Sequence, residues 1–211
     1  MPAKKIILYH GTSARYEDAI RRDGLLPRNK TGNSNWDGDV ISKEDLVYLT
    51  DAYPVYFALN AVDDKDDLLV VEVSVLESAL YPDEDFIANL LHNQHYPDIP
   101  LRKINPTVVP QKYKKFALKS LQRNGVVATK SVSPDRIKRF VRLRQSKFNN
   151  QLLTIGADAM PIPLNYRVLG GQYRAAMQAL FDSGLDAAVK VMREPFDRIL
   201  NNPSASPAPP R

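Results

Sequence analysis

A mixed α+β domain followed by a helical extension is the fold class this 211-residue sequence predicts. Three observations predict it. Short apolar runs of strand length recur at Ile6-Ile7-Leu8, Val47-Tyr48-Leu49-Thr50, 68–75 and Val126-Val127-Ala128. Segments with helical patterning and helix-stop signals lie between them. The last third changes character, with two amphipathic stretches at 165–182 and 184–200 on either side of Ser183-Gly184.

Composition sets the outer limits. Apolar residues at 44% and charged residues at 25% are ordinary for a globular chain, enough for one sizeable core and a small appended unit. The chain has no cysteine, which excludes disulfides and thiolate metal sites and fits a cytoplasmic location. No run approaches a membrane span, and Met1-Pro2-Ala3-Lys4-Lys5 lacks the apolar core of a signal peptide, so no membrane partner is expected. A net charge of +5 and a pI near 9.3 suit an anionic ligand or a nucleic-acid partner.

In chain order, residues 4–9 read as a strand and 15–23 as a short polar helix, with Ser13 as N-cap and Gly24 as the stop. Gly24-Leu25-Leu26-Pro27 then turns two leucines back toward the core. From Arg28 to Asp45 the chain is polar and turn-rich around a single Trp36, a long loop of the kind that forms lids. Residues 47–50 read as a strand, 52–62 as a helix and Asp63 to Asp67 as an acidic turn. Residues 68–75 form the clearest strand, with Val71, Val73 and Val75 on one face and Glu72 and Ser74 on the other.

A turn at 80–86 leads into a helix ending near Asn93, and a Pro-rich polar stretch runs to Pro110. Residues 111–123 read as a basic helix, 126–128 as a strand, and 137–143 as an edge strand after the turn Ser133-Pro134-Asp135-Arg136. The second C-terminal helix is expected to break or kink at Pro195. The resulting division is 1–148 for the main domain, 149–202 for a linker and helical extension, and 203–211 for a disordered Pro/Ala/Ser tail. The C-terminal helices can cover the sheet, pair with a second copy, or bind a protein partner.

The chemistry centres on Leu8-Tyr9-His10-Gly11-Thr12-Ser13. A histidine at a strand end can donate to a sugar hydroxyl, and a glycine after it lets a ligand lie against bare backbone. The same pattern also describes a satisfied core histidine before a turn glycine. His92 and His95 are spaced for a metal, yet a third ligand is not evident, so no metal is expected. Lys115, Lys119, Arg136, Arg139 and Arg142 belong to a dense basic run that reads either as a phosphate-tracking face or as charged surface guarding an edge strand.

Taken in order, Leu8-Tyr9-His10-Gly11-Thr12, Asp23-Gly24-Leu25-Leu26-Pro27, Val47-Tyr48-Leu49-Thr50-Asp51 and Val132-Ser133-Pro134-Asp135-Arg136-Ile137 resemble the ADP-ribosyltransferase fold superfamily. That superfamily includes poly(ADP-ribose) polymerases, diphtheria-type toxins and RNA 2′-phosphotransferases. The resemblance covers residues 4–144 and implies a split antiparallel sheet with flanking helices. It also implies an enzyme, of toxin or effector type among others, that uses NAD as substrate and transfers ADP-ribose to a protein or nucleic-acid acceptor. His10 would hold the adenosine ribose, Gly11 and Thr12 the nicotinamide amide, and Tyr48 would stack on the nicotinamide ring. Ser13, Thr50, Arg15 and Arg28 are candidates for the ribose and pyrophosphate.

The sequence departs from the family at one place. The glutamate that members carry on the third-motif strand falls here near Asn124-Gly125, with no carboxylate. Glu72 is the candidate acid to join His10 and Tyr48, although it also reads as a solvent-facing strand residue. Without an acid, the alternative is a catalytically silent nucleotide- or nucleic-acid-binding module on the same fold.

Overall fold

The structure, a computed structural model, describes residues 3–32, 42–62, 66–144, 153 and 162–201. In chain order its elements are β1 (Lys5–Ser13), α1 (Glu17–Asp23), α2 (Arg28–Thr31), β2 (Val47–Thr50), α3 (Pro54–Leu59), β3 (Leu68–Leu76), β4 (Tyr81–Pro82) and α4 (Glu84–His95). They continue with α5 (Leu101–Ile104), α6 (Ala117–Asn124), β5 (Val126–Thr129), β6 (Ile137–Leu143), α7 (Ile162–Ser183) and α8 (Leu185–Asn201). The six strands form one antiparallel sheet in the order β4-β5-β2-β1-β3-β6, so the chain is α+β. The middle of the expected lid, Trp36 included, lies outside the described residues, as do Asp63 to Lys65, nearly all of the linker, and the tail.

β3 lies inside the sheet, between β1 and β6, and both its faces are apolar enough to be covered. Leu68, Val70, Leu69, Val71 and Val73 are all completely buried. One face carries Tyr9, Leu68 and Val70 and packs against Tyr53, just ahead of α3, against Ala58 of α3, and against Tyr173, Met177, Leu180 and Met192 of the C-terminal helices. The other carries Leu8, Leu69, Val71 and Val73 and packs against Ile20 of α1 and Leu121 of α6. Of the three roles open to the C-terminal helices, covering the sheet is the one seen. Each large side chain buried there contributes about 1.5–3 kcal/mol, so α7 and α8 are part of the main core.

Local signals account for the ends of several elements. Ser13 caps the turn into α1 by accepting from the Arg15 amide at 3.3 Å, and Gly24 ends α1 at φ 81° with its N–H on Ile20. β1 runs past His10 to Ser13, longer than expected, because β3 matches it from Lys5 opposite Leu76 to Ser13 opposite Leu68. The expected 111–123 helix is a 3-10 segment from Pro110 to Phe116 followed by α6. α8 runs through Pro195 without a break in its assignment.

Gly11 has a different physical reason from the expected one. A Cβ there would stand 1.8 Å from the Pro54 carbonyl oxygen and 2.7 Å from the Ala58 amide, so the bare backbone is met by α3. Gly11→Ala is expected to cost about 3 kcal/mol or more through overpacking, read as a lower urea midpoint. Met177→Ala, on α7, is expected to cost about 2–5 kcal/mol within the same single unfolding transition as the sheet, followed by near-UV (tyrosine) and far-UV circular dichroism together.

Candidate functional site

The sheet is held unevenly. β1 pairs with β3 along its whole length, but with β2 only at Tyr9 opposite Thr50. Beyond Tyr9 the backbone groups of β1 that face β2 have no strand partner among the described residues. The two strands diverge there, and a cavity of about 590 Å³ opens between them. Its wall includes His10, Gly11 and Thr12 of β1, Tyr48 and Thr50 of β2, Leu25, Phe57 of α3, and Asp83, Glu84 and Asp85 where α4 begins. This size lies within the range of small-molecule sites, about 300–1,000 Å³.

A side chain bridges the strands where their ladder stops. The His10 Nδ1–H donates to the Tyr48 carbonyl oxygen at 2.9 Å. Burial lowers the pKa of His10, so the ring is held neutral. A carbonyl can only accept, so the proton sits on Nδ1 and leaves the Nε2 lone pair as an acceptor. The Tyr48 hydroxyl, in turn, donates to Glu84 Oε2 at 2.6 Å and accepts from the Lys43 amide at 2.8 Å. Burial and the neighbouring Glu84 push the Tyr48 phenol well above its usual range. Glu84 itself is only 2% exposed, and burial raises its pKa.

Glu84 was missed by sequence reasoning. Its position follows from the register of the adjacent strands: Tyr81 lies opposite Ala128 and Pro82 opposite Val127, which brings Asp83 and Glu84 beside the head of β5. Asp83 receives a bond from the Asn124 side chain, and its amide donates to Ser120 Oγ at 3.1 Å. Burial, with Asp85 and Glu84 nearby, holds the Asp83 carboxyl well above the usual carboxylate range. The place on β5 that lacks an acid therefore has carboxyl groups beside it from the next segment of the sheet.

The other expected residues divide. Thr50 lines the cavity while its hydroxyl accepts from the Ala52 and Tyr53 amides, both at 3.1 Å, to start the turn into α3. Arg28 lines the cavity and pairs with Glu44 at 3.1 Å. Ser13 and Arg15 do not line it: Ser13 Oγ donates to Asp66, and Arg15 pairs with the same carboxylate at 3.4 Å. Glu72 is neither in the cavity wall nor facing solvent. It lies on β3 across from Tyr9, 5% exposed, and the Arg139 guanidinium grips both its oxygens at 3.0 and 2.5 Å. Glu72, expected to join His10 and Tyr48, is thus not brought together with them in the cavity wall but is paired with an arginine on the far side of β1.

The basic residues do not form one surface. Arg139 also binds Asp182, Arg142 binds Glu17 and Arg136 binds Asp135. These three lie at the β6 end of the sheet, whereas Lys115 and Lys119 belong to the segment that packs on β4 and β5 at the other end. His92 Nδ1 is bonded to the Ile99 carbonyl, and among the described residues no group of His, Asp or Glu side chains is arranged to hold a metal ion. No described helix is long and apolar enough to cross a membrane. No protein-family model matches this chain, and no curated protein matches it.

The site strand is tied to the C-terminal helices through Asp51. Its amide donates to the Gly125 carbonyl at 3.2 Å, and its Oδ2 accepts from the Tyr166 hydroxyl at 2.7 Å, with Arg174 at 3.5 Å. Burial, the largest influence, pushes its carboxyl up to about 6. The folded chain thus holds this proton more tightly than the unfolded chain, so the group adds stability as pH falls from above 6 toward its unfolded value. Between about pH 7.5 and 4.5 the wild type should gain on the order of 2 kcal/mol over Asp51→Asn, measured by urea unfolding. Arg139→Ala, which leaves Glu72 buried without its partner, should cost about 2–3 kcal/mol and leave ligand binding in the cavity unchanged.

Proposed function

We propose that the cavity between β1 and β2 binds NAD and that the chain is an ADP-ribosyltransferase acting on a macromolecular acceptor. One observation carries this reading: His10 and Tyr48, 38 residues apart, meet in a single cavity and are bonded to one another. The opening of the sheet beside β1 also supports a sheet of the ADP-ribosyltransferase type.

In this reading the His10 Nε2 accepts from a ribose hydroxyl. The backbone of β1 beyond Tyr9, without a strand partner on that side, pairs with the nicotinamide amide. Tyr48 offers its ring face to the positively charged pyridinium, and Glu84 and Lys43 fix that ring through its hydroxyl. Arg28 and Lys43, both in the cavity wall, would supply the positive charge for the pyrophosphate, Arg28 exchanging its pair with Glu44 and Lys43 its bonds to the Asn105 and Pro106 carbonyls. With the β6 arginines committed to carboxylates, a nucleic-acid acceptor has less support than a protein one.

The silent-module reading is favoured by one specific feature, the absence of a carboxylate at Asn124-Gly125 on the head of β5. Incubation with labelled NAD separates the two. Transfer activity predicts nicotinamide release and modified protein, with His10→Ala and Tyr48→Ala each lowering release by about a hundredfold or more. A silent module predicts only stabilisation, about 2.7 kcal/mol at a NAD concentration a hundred times Kd, without release. A chain whose melting temperature and NAD signal are both unmoved refutes the transferase and a silent NAD-binding module alike, leaving only a module for another nucleotide or for nucleic acid.

A further inference from the structure

The first turn of α4 brings a carboxylate into the cavity beside Tyr48, and we propose that Glu84 is the catalytic carboxylate of this site, stabilising the cationic ribose and taking the acceptor's proton. The inference rests on that reading of the cavity as an NAD site.

Cleaving the bond between the nicotinamide nitrogen and C1′ leaves cationic character on the ribose, which a fixed negative charge stabilises most in a site shielded from water. The carboxylates in the cavity wall are Asp23, Asp83, Glu84 and Asp85. Asp23 is gripped by Arg22 through both oxygens, at 3.0 and 3.1 Å. Asp83 is held by Asn124, and Asp85 by the Asn105 side chain at 2.5 Å. Glu84 is the one bonded to Tyr48, the ring assigned to nicotinamide, through its Oε2 at 2.6 Å. On this reading its carboxylate lies beside the ribose attached to that ring.

The step balances as follows. The C1′–N bond breaks with its electron pair leaving on the nitrogen, so the pyridinium departs as neutral nicotinamide. An acceptor O–H or N–H forms the new bond at C1′, and its proton passes to Glu84 and then to solvent. Raised by burial, the Glu84 carboxyl is a better base than a surface glutamate.

The experiment compares wild type, Glu84→Gln, Glu84→Asp and Tyr48→Phe for NAD binding by calorimetry and for nicotinamide release across pH, with melting temperatures alongside. Glu84→Gln is expected to bind NAD within about threefold of wild type and to lose release by about 10²–10³, and its residual rate lacks the acidic limb of the wild-type profile. Glu84→Asp restores part of the rate. Tyr48→Phe, which keeps ring and carboxylate, loses less than about tenfold. Wild-type turnover in Glu84→Gln overturns the assignment and leaves the NAD reading standing. Equal losses in Tyr48→Phe and Glu84→Gln overturn it too, because the glutamate then acts only by holding the phenol. A wild-type chain that neither binds nor cleaves NAD refutes the NAD reading and the assignment with it.

Discussion

Between β1 and β2 the sheet gives up backbone pairing and keeps a single side-chain bond in its place, from His10 to the Tyr48 carbonyl. Two strands diverging inside a folded core would ordinarily leave polar backbone groups without partners, at a cost of about 1–3 kcal/mol each. The divergence is tolerated because everything around it is tightly held. β3 locks β1 on one side over its full length, and β5 locks β2 on the other from Val47 to Thr50. The cavity is therefore a gap between two rigid half-sheets. The His10–Tyr48 bond that crosses it also fixes the tautomer of the histidine facing into it.

Rigidity on the opposite face comes from α3 and from the C-terminal helices. Gly11 lets the α3 backbone sit directly on β1, so the floor of the cavity is set by contact between main chains. Gly125 plays the matching part at the head of β5: its φ of 69° ends α6, and Tyr166 of α7 occupies the space where a side chain would stand. With Tyr166 and Arg174 on Asp51, one residue past β2, the long C-terminal helix braces β2 and the neighbouring β5.

Much of this was legible in the sequence. β2, the position of β6 at a sheet edge, the Ser13 cap and the Gly24 stop all follow from periodicity and cap chemistry, which are local properties. What failed was long-range. Glu72 alternates with valines as a half-exposed strand residue would, and nothing nearby announces that Arg139, 67 residues on, and α7 will enclose it. The basic residues look continuous along the chain, yet the strand order sends them to opposite ends of the sheet. Glu84 was hidden for another reason: acids in the first turn of a helix are ordinary partners of the helix dipole, so their presence carries no message. Only the register of β4 on β5 gives it one.

The ends of the sheet have a consequence of their own. On one side it finishes in a two-residue strand closed by Pro82, which has no N–H to offer. On the other it finishes in β6, where Lys138 is exposed and Arg139 and Arg142 are clamped down by acids from the helices. Both borders carry features that discourage a foreign strand from lengthening the sheet: a proline on one side and a row of basic side chains on the other.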